Sequence, residues 1–190
     1  MVLAIDIGNT NVVIGGFQEQ QILFVERVST NQNATSLELA ISIKTILEIY
    51  QIQTTEIEGC IISSVVPSIN HAVRKAVEKI AHCPVVLVGP GVKTGLQIAI
   101  DNPAQLGADL VCVSVAALEK YPLPSIVIDM GTATTISAMD RHGKMLEQSV
   151  AGCFRRFQFQ IDKGIFLRML ILEAQVFQLC LDGEKPQTVC

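Results

Sequence analysis

The chain has 190 residues, of which 49% are hydrophobic and 17% charged, which is enough apolar material for a core and too much for a disordered protein. A formal net charge of −4 without any basic run gives no electrostatic footprint for nucleic acid. No stretch approaches the roughly 18 uninterrupted apolar residues of a membrane-spanning helix, and the N-terminus does not read as a signal peptide. We therefore expect a cytoplasmic protein that binds small molecules, with no nucleic-acid or membrane partner.

The first part of the chain is predicted to form an antiparallel meander and a helix. Three runs rich in β-forming residues, at 2–7, 12–17 and 22–28, are separated by Gly-Asn-Thr-Asn and by a polar turn. Thr35 and Glu38 then have capping-box spacing, and apolar residues recur at helical period as far as residue 50.

Strands and helices alternate from there onwards. The predicted elements are a strand at 59–66, a helix begun by Pro67, a strand at 84–88, a glycine-rich loop at 89–95, a helix from Asn102-Pro103 to about residue 121, and a strand at 125–129. This alternation predicts an α/β architecture.

A weak internal repeat relates the two ends of this region. VLAIDIGNTNVVIGGF and SIVIDMGTATTISAMD share a strand, Asp-x-Gly, small hydroxyl residues and a second strand. His142-Gly143 is predicted to be a turn before a further strand at 144–150. The repeat implies two similar halves, the second recognisable to about residue 150.

The repeated Asp-x-Gly turns have the composition of phosphate-binding hairpins. The glycine lets backbone N–H groups approach an anion, and hydroxyl and amide side chains add donors. An aspartate would instead hold a cation, or the water of a cation, that bridges to phosphate oxygens. One such turn could be an ordinary hairpin; two favour a pair that clasps a triphosphate. Walker and Rossmann motifs are absent from the sequence.

The cysteines show no spacing typical of zinc or of a redox pair, so we expect reduced thiols. They are Cys60, Cys83, Cys112, Cys153, Cys180 and Cys190.

At this point a family resemblance becomes specific. The segments are AIDIGNTNVVIGGF, RVST at 27–30, ISSVVP at 62–67, VGPGVKTGL at 88–96, DNPAQLGAD at 101–109 and VIDMGTATT at 127–135. Together they resemble the N-terminal part of type III pantothenate kinases over residues 1 to about 150. The resemblance implies an actin-like ATPase fold with two ribonuclease-H-like domains, an active cleft between them and a homodimer.

The resemblance also implies roles for particular residues. ATP, with Mg²⁺, would be bound by Asp6, Ile7, Gly8, Asn9, Thr10, Asn11, Val12, Val13 and Thr132. Pantothenate would be bound by Ile100, Gly107, Ala108, Asp109 and Leu110. Asp109 would be the catalytic general base, and Asp129 would hold a monovalent cation, K⁺ or NH₄⁺. From the residues alone, Asp109 could equally face solvent or pair with a lysine.

The chain departs from the family in three places. Leu110 stands where the family usually has arginine, and Ile100 where it often has tyrosine. After about residue 150, SVAGCFRRFQFQIDKG replaces the expected Gly-Gly-x-x-x-Pro-Gly adenosine motif. The domains are predicted as a first ribonuclease-H-like domain at 1–117, the start of a second at 118–150, and a divergent tail at 151–190. We hypothesise that the tail arises from a frameshift.

Three functions are compatible with this sequence. The first is ATP-dependent phosphorylation of pantothenate to 4′-phosphopantothenate, the first step of coenzyme A biosynthesis. The second is a catalytically inactive remnant or regulatory paralogue of such a kinase. The third is another actin-like enzyme, such as a sugar kinase or polyphosphatase, which would not carry GVKTGL together with DNPAQLGAD.

Overall fold

The computed structural model describes residues 1–19, 21–89, 92–100, 103, 106–130 and 134–150. The backbone divides into two compact units, Met1–Pro90 and a second that begins at Gly91. In the part of the chain that is described, no helix combines the length and the apolarity needed to span a membrane.

The first unit is built on a five-stranded sheet. Its strands are β1 (Val2–Ile7), β2 (Asn11–Gln18), β3 (Gln21–Ser29), β4 (Gly59–Ser64) and β5 (Val85–Leu87). They lie in the order β3-β2-β1-β4-β5. The β1-β2 and β2-β3 pairs are antiparallel, whereas β4 runs parallel to both β1 and β5. This is the sheet of a ribonuclease-H-like domain, so the predicted fold class is confirmed.

Two helices supply the other side of the core. Helix α1 (Ser36–Ile49) begins at the predicted capping box, in which the Thr35 N–H donates to Glu38 Oε2 at 2.7 Å. Helix α2 (Pro67–Ile80) begins at the predicted proline, and a 3₁₀ turn at Thr54–Glu56 precedes β4. Side chains alternate across a strand, and the core contains every second residue of β1, with buried residues of both helices: Leu3, Ile5, Ile7, Ile43, Leu47, Val73 and Val77. The remaining β1 side chains, including Asp6, are therefore on the opposite face of the sheet.

In its described residues, which end at Val150, the second unit contains a four-stranded sheet and one long helix. Its elements are β6 (Gln97–Ile98), α3 (Ala108–Lys120), β7 (Ser125–Met130), β8 (Thr134–Met139) and β9 (Lys144–Val150). The strand order is β6-β9-β8-β7, with an antiparallel β7-β8-β9 meander that matches β1-β2-β3. Gly143 has φ +78 in the predicted turn before β9. The meander makes this unit the start of a second domain of the same type.

One predicted helix boundary is wrong. The helix expected from Asn102-Pro103 begins at Ala108, with Gly107 as an extended N-cap residue (φ −63, ψ 148). Pro103 instead belongs to a short turn in which its carbonyl oxygen accepts the Leu106 N–H at 3.2 Å. The extended backbone of Gly107 separates this turn from the first residue of α3.

Two further differences concern strands. The strand expected at 59–66 ends at Ser64, because Ser64 Oγ accepts the Val66 N–H at 3.0 Å and turns the chain into α2. The two-residue strand β6 was not predicted from the sequence. The domain boundary expected after residue 117 stays a prediction. In the structure, α3 contacts β7 within the second unit. Residues 151–190, including the proposed frameshifted tail, lie outside the described residues.

Candidate active site

The first Asp-x-Gly motif forms a tight hairpin turn at the end of β1. Asp6 is the penultimate residue of the strand, and Ile7 pairs with Val12 across the hairpin. The Gly8 N–H donates to the Asn11 carbonyl oxygen at 2.9 Å, and a Cβ on Gly8 would lie only 3.1 Å from that oxygen. The turn therefore has no room for a side chain where the sequence places its glycine.

Thr30 holds this turn from the end of β3. Its hydroxyl donates to the Gly8 carbonyl oxygen at 2.6 Å, and its N–H donates to the Thr10 carbonyl oxygen at 2.9 Å. Thr30 lies in the RVST segment and had no predicted role. Because both carbonyl oxygens are engaged, they present less negative charge to an anion that approaches the turn.

The predicted ATP-binding residues divide by exposure. Ile7 and Val12 are 0% and 3% exposed and belong to the core, so only their backbone is available to a ligand. Asn9 and Thr10 are exposed at the tip of the turn, and Gly8, Asn11 and Val13 are half-buried. Asp6 pairs with Val13 on β2 and with Ser63 on β4. Thr132 lies outside the described residues.

The predicted general base lies in the second unit, in the first turn of α3. Asp109 follows Gly107 and Ala108 and accepts the Leu110 N–H on its Oδ1 at 2.8 Å. Burial raises the pKa of Asp109, while the hydrogen bond from Leu110 opposes that rise. Asp109 is half-buried, so the alternative of a fully solvated side chain does not hold.

Asp129 is close enough to Asp109 for the two charges to interact. It is the penultimate residue of β7, as Asp6 is of β1. Burial raises the pKa of Asp129, and the negative charge of Asp109 raises it further. The helix start and the strand end thus bring together two carboxylates that lie 20 positions apart in the chain. The sequence predicted both residues but not their proximity.

Thr135 lies opposite Asp129 on the neighbouring strand. It is the residue that faces Asp129 on β8, so the two side chains are on the same face of the sheet. Its Oγ1 is buried and has no hydrogen-bond partner among the described residues. Carboxylate and hydroxyl oxygens in a negative field are suitable ligands for a hard cation, so these residues fit the cation expected at Asp129.

The two residues that depart from the family are both apolar in the structure. Leu110 is 5% exposed within the buried face of α3, and Ile100 is half-buried. Neither provides a charge for a substrate carboxylate. Thr30, Ser63 and Thr135 were not predicted individually as site residues, although all three lie in segments of the resemblance. The strand register that sets Ser63 beside Asp6 and Thr135 beside Asp129 cannot be read from spacing alone.

The two sheets, each with an Asp-x-Gly motif at the end of its first meander strand, have the topology of the actin-like fold. A solved structure of a putative 2-dehydro-3-deoxygalactonokinase from Sinorhizobium meliloti superposes with a TM-score of 0.51 at 13% identity, covering 79% of this chain and 53% of that one. At this identity, the likeness concerns the fold alone.

The family model described as type III pantothenate kinase matches residues 2–152. Type III pantothenate kinases of Listeria innocua and Listeria monocytogenes are each 41% identical over 143 residues, which is 75% of this chain and 55% of the relative. The chain belongs to the type III pantothenate kinase family. It spans about half the length of the curated relatives it matches.

Proposed function

We propose that this protein transfers the γ-phosphate of ATP to the primary hydroxyl of pantothenate, producing 4′-phosphopantothenate, the first step of coenzyme A biosynthesis. The observation that carries the proposal is that Asp109 and Asp129 are two half-buried carboxylates whose pKa values are both raised by burial, that of Asp129 also by the charge of Asp109. Family membership supplies the substrates, and the carboxylate pair supplies the chemistry that this chain would contribute.

Each carboxylate has a separate task in this proposal. Asp109 accepts the proton of the pantothenate hydroxyl as its oxygen attacks the γ-phosphorus. Asp129, with the Thr135 hydroxyl beside it, holds a monovalent cation, K⁺ or NH₄⁺. Gly107, Ala108, Leu110 and Ile100 would line the pantothenate site. Their apolar surface fits the hydrocarbon part of the substrate better than its carboxylate.

The first hairpin binds the phosphates in the same proposal. Its exposed Asn9 and Thr10 offer polar groups, and the bonds from Thr30 keep the turn in one conformation, so little ordering is required on binding. Mg²⁺ bound with ATP neutralises charge that develops on the phosphoryl group. We also propose that the protein acts in the cytoplasm and forms a homodimer. Light scattering of the purified chain would test whether it is a dimer.

A direct assay tests the reaction. Purified chain is incubated with pantothenate, ATP, Mg²⁺ and K⁺, and ADP and 4′-phosphopantothenate are quantified together by mass spectrometry. We expect the two products in equal amounts, with less of both when Na⁺ replaces K⁺. ADP without phosphorylated pantothenate would contradict the proposed substrate.

A second candidate function is an inactive or regulatory paralogue. The observation that favours it is Leu110, a buried apolar residue where the family usually carries arginine. The same assay separates the two candidates, because an inactive paralogue would form neither product. Leu110→Arg restoring turnover to an inactive chain would identify this position as the cause.

A further inference from the structure

Ser63 lies beside Asp6 without a role in any of the chemistry described so far. The parallel pairing of β1 with β4 sets Asp6 opposite Ser63. Paired residues on neighbouring strands project from the same face of a sheet, with their Cβ atoms roughly 5 Å apart. This face of the sheet is the one opposite the α1 and α2 core. The Ser63 hydroxyl and the Asp6 carboxylate therefore lie on the same face of the sheet, next to the Gly8 turn.

The position of Ser63 relative to that turn is fixed by the backbone. The Val65 N–H donates to the Ile7 carbonyl oxygen at 3.0 Å, which ties the segment after β4 to the end of β1. On the other side, the Val88 N–H donates to the Ile62 carbonyl oxygen at 2.8 Å. Ser63 is therefore held between two strand ends and cannot move away from Asp6 without breaking the sheet.

The Ser63 hydroxyl is also buried and unsatisfied. The residue is 2% exposed, and its Oγ has no hydrogen-bond partner among the described residues. Buried hydroxyl groups are nearly always paired, because leaving one unpaired costs free energy. The neighbouring Ser64 differs, since its Oγ accepts the Val66 N–H. The same dipeptide thus contains one serine with a structural partner and one without.

We propose that Ser63 is a positioning residue whose hydroxyl gains its partner when a magnesium nucleotide binds at the first hairpin. The partner is a water molecule in the hydration shell of the divalent cation, held between Ser63 and the Asp6 carboxylate. A bare phosphate oxygen would be repelled by Asp6, whereas a metal-bound water can donate to the carboxylate and to the hydroxyl oxygen alike. Mg²⁺ usually keeps several of its waters in protein sites. This inference rests on the proposed nucleotide binding, not on pantothenate turnover.

The test compares Ser63→Ala with Ser64→Ala as the matched control. Calorimetric titration measures the Kd of ATP with Mg²⁺ and, separately, with EDTA. For Ser63→Ala we expect Mg-ATP binding to weaken about ten-fold, the usual scale for one hydrogen bond near a charged group, while metal-free ATP binding stays unchanged. Ser63→Thr, which keeps the hydroxyl, should retain most of the wild-type affinity.

Thermal unfolding without nucleotide separates positioning from a structural role. Because Ser63→Ala removes an unpaired hydroxyl, its Tm should equal or exceed that of the wild type. Ser64→Ala loses a partnered hydroxyl, so its Tm should fall while the Mg-ATP affinity is kept.

Equal Mg-ATP affinity in Ser63→Ala and wild type would overturn the inference, as would the same loss of affinity in EDTA. A wild-type chain that binds Mg-ATP without turnover would contradict the proposed function and leave Ser63 in place. A wild-type chain that binds no Mg-ATP would contradict both.

Discussion

The two Asp-x-Gly hairpins share a sequence pattern but have different surroundings. In the first, four residues separate the paired Ile7 and Val12, whereas in the second three separate Met130 and Thr134. Asp6 consequently faces Val13 on the partner strand, and Asp129 faces Thr135. The aspartate of the first hairpin thus has an apolar cross-strand neighbour, whereas that of the second has a hydroxyl.

The position of each aspartate-bearing strand adds to the difference. β1 is central and has β4 on its other side, which brings Ser63 to Asp6. β7 is the last strand of its sheet in the described part of the chain, and α3 brings Asp109 close to Asp129 instead. We propose from this comparison that the two copies of the motif have different tasks, with phosphate binding at the first hairpin and cation binding at the second, next to the proposed base Asp109 on α3.

The largest expected effect comes from removing the proposed base. Asp109→Asn keeps the size of the side chain but cannot accept the proton of the pantothenate hydroxyl, so kcat should fall about 10²–10⁴-fold, the usual contribution of general base catalysis. Steady-state kinetics measures the change. Glu119→Gln, at the exposed far end of the same helix, is the control and should keep the wild-type kcat. Similar rates for both variants would rule out Asp109 as the base.

The next effect concerns the bonds that hold the first hairpin. Thr30→Val removes the hydroxyl that donates to the Gly8 carbonyl oxygen. Leaving this oxygen without its partner should lower the free energy of unfolding by about 1–3 kcal/mol. Because the turn is then held less firmly, calorimetry should show weaker ATP binding. Thr45→Val is the control, because Thr45 makes a comparable bond to the Ile41 carbonyl oxygen, but within α1. If Thr45→Val weakens ATP binding as much, the loss reflects general destabilisation.

A substitution at Gly8 should also act on the first hairpin alone. In Gly8→Ala the added Cβ would lie 3.1 Å from the Asn11 carbonyl oxygen, which is closer than an ordinary van der Waals contact, so the turn would have to shift to accept it. Gly89→Ala is the control, since a Cβ there has nothing within 4 Å. Thermal unfolding should show a lower Tm for Gly8→Ala only; equal Tm values would mean that the turn can relax.

The raised pKa values of Asp109 and Asp129 should make the stability of the protein depend on pH. Because the pKa of each carboxyl is higher in the folded protein, the native state binds protons more tightly than the unfolded chain does. The free energy of unfolding therefore falls as pH rises from the ordinary aspartate pKa of 3.8 through the folded-state pKa. Asp109→Asn removes this cost and also relieves Asp129. Its Tm should exceed that of the wild type at neutral pH, and the difference should disappear below pH 3.8. A gain that persists in acid would have another cause.

The smallest effect tests the burial of the first sheet. Burial raises the pKa of the Cys60 thiol to about 12, whereas Cys83 is half-buried. Iodoacetamide reacts with thiolates, so Cys83 should be alkylated before Cys60, and Cys60 only after unfolding. Peptide mass spectrometry would show the order of the two. Early alkylation of Cys60 would indicate that β4 opens in the native state.

Much of this fold could be predicted because its signals are local. The limits of β1, the Thr35 capping box and the proline at the start of α2 depend on residues that are neighbours in the sequence. The start of α3 was misplaced because Pro103 begins a separate short turn. The two-residue β6 gave no local signal, since its pairing with β9 is set by tertiary structure.

The sequence predicted the three aspartates of the candidate site but not how they are arranged. Asp6, Asp109 and Asp129 follow from motifs, but the interaction between the last two depends on how α3 packs on β7. Ser63 becomes conspicuous only when strand register sets it beside Asp6 and burial leaves its hydroxyl unpaired. Those properties belong to the folded chain and have no counterpart in sequence spacing.

The division of tasks between the hairpins is tested most directly by measuring kcat and the Kd of Mg-ATP side by side in Asp109→Asn and Thr30→Val. We expect Asp109→Asn to lose turnover at unchanged Kd, and Thr30→Val to raise Kd with a much smaller loss of kcat. If both variants alter the same parameter to the same extent, the two hairpins do not have separate tasks and the account is wrong.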